Sequence, residues 1–475
     1  MNVSIILFVA YLINIIFAFS LIFIERKEPN TTWAWLMILL VLPGIGFIIY
    51  LFLGQNLSRQ KIFREKKVTD EKKVKELLEK FKREKENSNI SQEFMDLIRM
   101  NYNNSGVLYT SGNKVDTFID GEEKFKALIN DIRLAKKFIH IEYYIFRLDG
   151  LGNTIIDELK KKVEEGVEVR LLADGMGSKS LRGNKIKYIR SLGIKFHLFF
   201  PGFLPYVNTR LNFRNHRKIV VIDGKVGYVG GFNVGDEYIN KGKQFDYWRD
   251  THIRIQGEAV NELNKRFILD WDYASEGELK SYDDYFLKQE DYGNIGMQII
   301  SSGPDHKEEF IKNAYMKIIN NAKERIYIQT PYLVPDEPIK EALKIAALSG
   351  VDVRIMVPGK PDHFFMEWIL SANMGELMEC GVRIYKYQKG FIHSKTIIAD
   401  GKVSSIGTAN LDIRSFQLNF EINAIIFDSD FTKEQEKIFI NDIKDSKQVI
   451  FEEYNNRGRS IRIKEALIRL IAPIL

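Results

Sequence analysis

Two short segments of the sequence each place a histidine two residues before a lysine, and no other histidine among the seven is followed in that way. Each segment continues with an aspartate, a glycine and an asparagine at the same spacing. The shared residues are His216, Lys218, Asp223, Gly224 and Asn233 in the first segment and His393, Lys395, Asp400, Gly401 and Asn410 in the second. A match at five positions favours a duplicated functional site over two unrelated surface strands.

These residue types suit chemistry on a phosphate ester. Side chains at i and i+2 of a strand point to the same face, so the ring of His216 and the ammonium of Lys218 can reach one phosphate. An imidazole acts as nucleophile or proton carrier near neutral pH, and lysine supplies positive charge for the phosphoryl oxygens. Asn233 and Asn410 can donate amide hydrogens to the same oxygens. The predicted catalytic group is His216, Lys218, Asp223, His393, Lys395 and Asp400.

Two acidic residues are candidates to support the histidines. Asp250 and Glu421 each follow a histidine segment and begin an apolar strand. A carboxylate that accepts a hydrogen bond from Nδ1–H fixes the tautomer of an imidazole and stabilises its positive form. We expect Asp250 to hold His216 and Glu421 to hold His393. The alternative for each acid is a strand-end carboxylate that faces solvent.

The sequence predicts no metal site and no cofactor. The five other histidines lack the spacing of metal ligands, and Cys380 is the only cysteine. The net charge of +6 is modest, and much of it lies next to apolar segments and near the C-terminus. That distribution suits an anionic membrane surface better than a nucleic-acid groove, so we expect a membrane as a partner and no nucleic acid.

An internal repeat accounts for most of the chain. Stretches that start at Ala135, Gly166 and Leu192 recur in the same order at Ala322, Gly350 and Cys380, and each copy ends in a histidine segment. Helical spacing alternates with short apolar strands in both copies, which predicts an α/β sandwich with a largely parallel sheet in each half. Packing about a pseudo-twofold axis would bring the two histidines to one site.

The first 58 residues predict a membrane anchor. Residues 3–24 and 33–53 are two apolar runs separated by a charged break, and Pro43 and Gly44 should kink the second run. More basic residues follow the second run than lie in the break, so the catalytic part is expected in the cytoplasm of a multi-pass cell-membrane protein. The predicted domains are the anchor at 1–58, an amphipathic linker at 59–104, repeat 1 at 105–285 and repeat 2 at 286–475.

These features resemble the phospholipase D superfamily, and in detail its bacterial cardiolipin synthases with two membrane spans. The resemblance covers nearly the whole chain. It is carried by the anchor from Trp33 to Asn56, the segment from Asn208 to Lys218, and the segments at Ser302 to Asp305, Thr330 to Asp336 and Gly390 to Lys395. Gly231 stands where many superfamily members carry serine, a mild departure.

The resemblance implies two phospholipase D-like repeats and a phosphatidyl transfer that needs no metal. In that reaction one histidine attacks phosphatidylglycerol and releases glycerol, and a second phosphatidylglycerol then accepts the phosphatidyl group to give cardiolipin. By the same resemblance His216 is the nucleophile and His393 the acid and base. The alternatives are a membrane-bound hydrolase, another phosphatidyltransferase, or a scaffold that binds anionic lipids without catalysis.

Two further segments are candidates for contact with lipid. Apolar residues 199–206 and 364–370 precede the histidine segments and either dip into the bilayer or pack in the core. The C-terminal tail carries an apolar stripe beside three arginines, which predicts a basic interfacial helix. The stripe consists of Ile463, Leu467, Leu470 and Ile474.

Overall fold

The structure is a computed structural model of the 475-residue chain. It describes residues 3–20, 29–42, 44–50, 63, 66–71, 73, 92–200, 213–279, 281–363 and 366–471. The predicted amphipathic helix around residues 74–81 lies outside the described residues, as do residues 201–206 and 364–365 of the two apolar segments.

Among the described residues up to Tyr50 there are three helices: α1 (Val3–Ser20), α2 (Pro29–Val41) and α3 (Ile45–Ile49). The break between α2 and α3 falls at the predicted kink, where Gly44 has a φ of 81°. The side-chain amide of Asn14 on α1 donates to the carbonyl of Leu39 on α2 at 2.8 Å, which ties the two helices together. Within the described residues, no helix combines the length and apolar character that a membrane crossing requires.

The described residues between α3 and the repeats are built into the globular part. Phe63 is fully buried and packs its ring against Phe200, Phe213 and Phe420 at centroid distances of 5.1–5.8 Å. A turn of helix at residues 66–71 then buries Lys66, whose ammonium lies 3.3 Å from a carboxylate oxygen of Asp270. The residues just before the repeats are therefore part of the fold.

Helix α4 (Met95–Ser105) precedes repeat 1 and packs against residues of repeat 2, with Leu97 in the same core cluster as Phe310. Repeat 1 alternates strands and helices as predicted. Its elements are β1 (Thr110–Phe118), α5 (Gly121–Leu134), β2 (Phe138–Tyr143), α6 (Gly150–Glu164), β3 (Glu168–Asp174), α7 (Asn184–Ser191), β4 (Lys195–Phe199), β5 (Arg214–Asn215), β6 (Ile219–Ile222), β7 (Val226–Gly230), β8 (Trp248–Arg249), β9 (His252–Gln256) and α8 (Ala259–Ala274). Apolar residues recur at helical spacing on α5, so Phe125, Leu128 and Ile132 are buried against the sheet.

Repeat 2 follows the same order and adds a C-terminal extension. Its elements are β10 (Ile295–Ser302), α9 (Phe310–Asn321), β11 (Arg325–Gln329), α10 (Glu337–Leu348), β12 (Asp352–Pro358), α11 (Met366–Glu379), β13 (Arg383–Tyr387), β14 (Phe391–Ile392), β15 (Thr396–Ala399), β16 (Val403–Gly407), α12 (Ile413–Gln417), β17 (Asn419–Phe427) and α13 (Ser429–Lys444). The extension consists of β18 (Ser446–Gln448), α14 (Phe451–Asn455) and α15 (Arg459–Ile471).

The strand order demonstrates the duplication. Repeat 1 contributes β1-β9-β7-β6-β2-β3-β4, and repeat 2 contributes the matching series β10-β17-β16-β15-β11-β12-β13. The series meet where β1 pairs antiparallel with β10, as equivalent strands do across a twofold axis. One core cluster contains residues of both repeats, among them Ile253 and Phe420, so the halves share a hydrophobic core.

The expectation of a largely parallel sheet in each half is wrong. Within these series only two strand pairs in each repeat are parallel. They are β2–β3 and β3–β4 in repeat 1, and β11–β12 and β12–β13 in repeat 2. The remaining pairs are antiparallel because the strand after each histidine turns back at once into a hairpin, β6–β7 and β15–β16. A two-stranded hairpin needs no crossover helix, so the chain can add antiparallel strands there.

Candidate active site

Each histidine follows a short strand that pairs with the opposite repeat. β5, which precedes His216, runs parallel to the start of β17, and β14, which precedes His393, runs parallel to β8. The backbone N–H of His216 donates to the carbonyl of Phe420 at 2.9 Å, and that of His393 donates to the carbonyl of Arg249 at 2.7 Å. The two histidines therefore lie at the interface between the repeats.

The carboxylates hold the histidines across this interface. Nδ1 of His216 lies 3.0 Å from Oε2 of Glu421, and Nδ1 of His393 lies 2.6 Å from Oδ2 of Asp250. Both acids are fully buried. The carboxylate bond to Nδ1–H leaves Nε2 as the ring nitrogen that can meet a substrate.

The pairing expected from the sequence, Asp250 with His216 and Glu421 with His393, is therefore wrong, and strand register explains the exchange. Arg214 and Asn215 face Asn419 and Phe420, so the next residue, His216, comes level with Glu421. Phe391 and Ile392 face Trp248 and Arg249 in the same way, which brings His393 level with Asp250. Each histidine is therefore held by the acid of the opposite repeat.

Burial, together with nearby lysine charges, lowers the pKa of both imidazoles. Burial and Lys395 lower the pKa of His393 to about 4, although Asp250 opposes the shift. Burial also lowers the pKa of His216 against the opposing charge of Glu421, and Lys395 of the other repeat adds to the lowering. That cross-repeat effect indicates that the two histidine segments share one site.

The two lysines are buried with their ammonium groups directed back to the histidine backbones. Nζ of Lys218 donates to the carbonyl of His216 at 2.6 Å, and Lys395 makes the same bond to His393. Burial lowers the pKa of Lys218 to about 7 and that of Lys395 to about 8, against the attraction of Glu421 and Asp250. In its charged form each ammonium group can balance the charge of a bound anion.

The lysine pKa values predict a decline in donor turnover at alkaline pH. We expect kcat/KM for a phosphatidyl donor to begin to fall near pH 7 and to fall by more than tenfold for each pH unit above roughly pH 8, because kcat/KM follows the free enzyme and each lysine loses its charge above its own pKa. Steady-state rates between about pH 6 and 9.5, with unfolding monitored at each pH, would check this. A level profile up to the alkaline end would contradict it.

Asp223 and Asp400 do not belong to the catalytic group. Each lies at the far end of the strand that follows its lysine, in a turn with a φ of 53°. The Asp223 carboxylate accepts the backbone N–H groups of Lys136, Lys137 and Phe138 at 2.7–3.0 Å. Asp400 makes the equivalent three bonds in repeat 2. These aspartates fix the start of strands β2 and β11, which explains their constant spacing from the histidines.

The two asparagines and Gly231 shape the surroundings of the site. Oδ1 of Asn233 accepts from the N–H of Ile145 at 3.1 Å, and its amide nitrogen is 3.3 Å from the Tyr238 hydroxyl. A role for Asn233 and Asn410 in binding phosphate remains a prediction. A side chain on Gly231 would begin 2.0 Å from the Asp250 carboxylate, so glycine leaves room for this acid.

Two residues that contact the histidine site, Arg217 and Tyr144, were not predicted from the sequence. Arg217 donates to Asp270 at 2.5 Å and to the carbonyl of Glu421 at 3.2 Å, so it braces the acid that holds His216. Its position between the histidine and the lysine is the only sequence signal that could have indicated it. The ring of Tyr144 meets that of His216 edge-on at 4.9 Å.

No metal centre accompanies these groups within the part of the chain that the structure describes. No three histidine, cysteine, aspartate or glutamate side chains come together there in a way that could hold an ion. The site consists of two imidazoles, two ammonium groups and two buried carboxylates, with a half from each repeat. A duplicated α/β fold with this site defines a phospholipase D-like enzyme.

Comparison with known proteins gives the narrower class. Residues 128–271 and 315–443 match the family described as cardiolipin synthase, PLD-like domain, and residues 12–55 match the phospholipase D-nuclease N-terminal family. The chain is 50% identical to a cardiolipin synthase of Clostridium perfringens, over 95% of this chain and 96% of that protein. It is 49% identical to cardiolipin synthase 2 of Staphylococcus epidermidis, over 100% of this chain and 98% of that protein. The chain belongs to the cardiolipin synthase family of phosphatidyltransferases.

A solved structure supports the fold. The phosphatidylserine synthase of Haemophilus influenzae superimposes with a TM-score of 0.61, covering 80% of this chain and 100% of that protein. Its sequence identity is only 16%, so the likeness concerns the architecture alone.

Proposed function

We propose that this enzyme transfers a phosphatidyl group between two phosphatidylglycerol molecules, yielding cardiolipin and glycerol, through a phosphatidyl-histidine intermediate. The observation that carries the proposal is the crossed pair of buried contacts, His216 with Glu421 and His393 with Asp250. Each contact occupies Nδ1, so both rings can present Nε2 to one phosphate. Two equivalent rings suit a reaction in which one ring is a nucleophile and the other moves a proton.

The first step forms the intermediate. Nε2 of His216 attacks phosphorus, the bond to the glycerol oxygen breaks, and His393 donates a proton to that oxygen. His393 is neutral in the empty site, and the anionic phosphate raises its pKa on binding, which allows it to take up this proton. Glu421 stabilises the positive ring of the phosphatidyl-histidine, while Lys218 and Lys395 offset the charge on the phosphoryl oxygens.

The second step transfers the phosphatidyl group from His216 to the acceptor lipid. His393 removes the proton from a hydroxyl of the second phosphatidylglycerol, the oxygen attacks phosphorus, and the bond to His216 breaks. Water in place of this hydroxyl would give phosphatidic acid, which is the outcome for a hydrolase with the same site. The family relationship favours the lipid acceptor.

Product analysis tests the proposal. Purified full-length protein in phosphatidylglycerol liposomes with excess EDTA should form cardiolipin and glycerol in equal amounts, because the mechanism uses only side chains of the chain. Mass spectrometry of the lipids and an enzymatic glycerol assay would measure both. Phosphatidic acid as the main product would indicate a hydrolase, and activity restored only by zinc or magnesium would exclude the metal-free mechanism. A requirement for a CDP-activated lipid would identify a different donor.

The N-terminal helices fit a membrane anchor for this reaction. Large apolar side chains on α1 and α2 are exposed, among them Phe8, Ile16, Trp33 and Leu40. The match of residues 12–55 to an N-terminal family of this superfamily supports the same role. With the basic residues that follow the second apolar run on the inner side, the catalytic repeats would lie in the cytoplasm.

The C-terminal helix α15 is a second candidate contact with lipid. Glu465 turns inward and accepts bonds from Arg457 and Ser371, which docks α15 against α11. Ile463 and Leu467 are then 61% and 62% exposed beside basic residues. An apolar edge with flanking positive charge favours an anionic bilayer surface.

We expect deletion of residues 1–57 to leave a folded core that works poorly on liposomes and retains activity on substrate dissolved in detergent. The anchor raises the local lipid concentration and supplies no catalytic group. Activity in both substrate forms and the melting temperature would be measured.

A deletion of residues 1–73 is the matched comparison. It also removes Phe63 and Lys66, which leaves an apolar pocket and the carboxylate of Asp270 with one cation fewer, so the core should be less stable by about 3–5 kcal/mol. A folded but inactive 1–57 deletion in detergent would show that the hairpin helps to build the site.

A further inference from the structure

A buried cluster of charged side chains joins the turn of helix at residues 66–71, which lies before both repeats, to the His216 side of the active site. Nζ of Lys66 lies 2.6 Å from Oδ2 of Asp70 and 3.3 Å from Oδ1 of Asp270 on α8. Every side chain of the cluster is at least nine-tenths buried, so each charge depends on its partners to offset the loss of water. The cluster consists of Lys66, Asp70, Arg217, Arg266 and Asp270.

A continuous series of contacts leads from Asp270 to the imidazole. Oδ2 of Asp270 accepts from Nη1 of Arg217 at 2.5 Å, and Nε of Arg217 donates to the backbone carbonyl of Glu421 at 3.2 Å. Oε2 of Glu421 in turn lies 3.0 Å from Nδ1 of His216. Burial raises the pKa of Asp270, yet the three cations of the cluster hold it below its usual value. Asp270 is therefore a charged anchor for Arg217.

Apolar packing reaches the same place. The ring of Phe63 lies 5.4 Å from the ring of Phe420, and Nζ of Lys66 lies 5.8 Å from the centre of that ring. The carbonyl of Phe420 accepts the backbone N–H of His216 at 2.9 Å. The segment before the repeats thus contacts Phe420, which fixes the histidine backbone, and through Asp270 it supports the residue that fixes the imidazole.

The corresponding support behind His393 is built inside the repeats. Nη1 of Arg249 donates to the carbonyl of Asp250 at 2.5 Å, and its Nη2 donates to Asp442 at 2.7 Å. Asp442 lies on the helix after β17, as Asp270 lies on the helix after β9. It also accepts from the side-chain amide of Gln329 on β11 at 2.8 Å. A residue from outside the repeats therefore takes part on the His216 side, where the His393 side uses one from β11.

We propose that Lys66 is a positioning residue for the attack of His216 on phosphorus. By holding Asp270, and through it Arg217, Lys66 keeps Glu421 and the imidazole in line. The proposal rests on the proposed function, in which His216 is the nucleophile, and it deepens it by giving the segment after the N-terminal helices a part in the donor step. Proton transfer by His393 does not depend on this segment.

Full-length Lys66→Met tests the proposal with phosphatidyl-p-nitrophenol as donor. Because this leaving group needs no proton, the pre-steady-state release of p-nitrophenol reports the attack by His216. The maximal release rate should fall about tenfold, the lower end of the range for groups that orient a reacting side chain. The donor concentration for half-maximal release should stay within about twofold, because Lys66 aligns the imidazole and binds no substrate.

The matched control is Lys340→Met. Lys340 on α10 is also a buried lysine between two carboxylates, 2.9 Å from Glu337 and 2.7 Å from Glu376, and α10 carries no group of the histidine site. Its release rate should stay within about twofold of the unmodified enzyme. An equal fall in Lys66→Met and Lys340→Met would assign the effect to general destabilisation and overturn the proposal.

A double-mutant cycle separates positioning from a merely structural role. Added to Glu421→Gln, Lys66→Met should change the release rate by less than about twofold, because the residue through which it acts is already altered. Added to Asp250→Asn, it should still cause the full fall of about tenfold. The same fall in both backgrounds would refute the proposed route through Glu421.

If Lys66→Met is unfolded at the assay temperature, Lys66→Met/Asp70→Asn takes its place. This variant removes one charge of each sign, so the net charge of the cluster is kept while the contact of Lys66 with Asp270 is lost. The same slow release is expected. An unchanged release rate in either folded variant would overturn the role of Lys66. Absence of any p-nitrophenol release from the unmodified enzyme would instead count against the proposed function.

Discussion

His216→Ala is expected to form no covalent phosphatidyl adduct with any donor, whereas His393→Ala should still form one when the leaving group needs no proton. Removal of His216 takes away the nucleophile, so no donor can rescue it. Removal of His393 takes away the acid, which typically costs about 10²–10⁴-fold with a glycerol leaving group. With p-nitrophenol, which leaves as a stable anion, most of that loss should disappear.

Acid-quenched protein after incubation with radiolabelled donor would report the adduct directly. The unmodified enzyme provides the reference for full labelling. Label recovered on His393 in the unmodified enzyme would reverse the two roles while leaving a two-histidine mechanism in place. Equal loss of adduct in both alanine variants with p-nitrophenol would contradict the separation of roles.

The second large effect is expected on replacing the two carboxylates that contact the histidines across the repeats. Glu421→Gln should slow the formation of the adduct by about 10–100-fold, because Glu421 and not Asp250 holds the nucleophile His216 and stabilises its cation. Asp250→Asn should slow the steps in which His393 moves a proton by a similar factor. Pairing each acid with the histidine that precedes it in the chain would predict the opposite result, in which Asp250→Asn slows adduct formation and Glu421→Gln slows proton transfer.

Pre-steady-state release of p-nitrophenol distinguishes these variants. It should be slow in Glu421→Gln and near normal in Asp250→Asn, since this leaving group makes the acid unnecessary. Asp250→Asn should nevertheless be slow with phosphatidylglycerol as donor. The reverse pattern would show that His393 is the nucleophile. Similar melting temperatures in the two variants would exclude a loss of structure as the cause.

The sequence identified the histidines, the lysines and the duplication because these depend on local spacing and on order along the chain. Strand alternation predicts that His216 and Lys218 serve one site, and the repeat predicts two halves, which meet at β1 and β10. The match of two family segments confirms the repeats. Periodicity and spacing are properties of a few neighbouring residues, which a single sequence contains.

The carboxylate that contacts each histidine could not be predicted from local spacing. It is set by the register of β5 on β17 and of β14 on β8, between residues far apart in the chain. Constant spacing was also misleading for Asp223, since a turn that fixes the start of β2 repeats as regularly as a catalytic group. The burial of Lys66 against Asp270 depends on the same kind of long-range packing.

The crossed contacts make each repeat incomplete in isolation. One repeat carries a histidine and an acid, yet its strands cannot bring the two together, so a single-repeat ancestor would have needed a second copy bound through an isologous interface. Joining two copies in one chain makes this assembly independent of protein concentration. It also removes the requirement for symmetry. The fused halves are free to differ, as Arg217 and Ser394 already do between histidine and lysine, and one active site can then acquire a dedicated nucleophile and a dedicated acid.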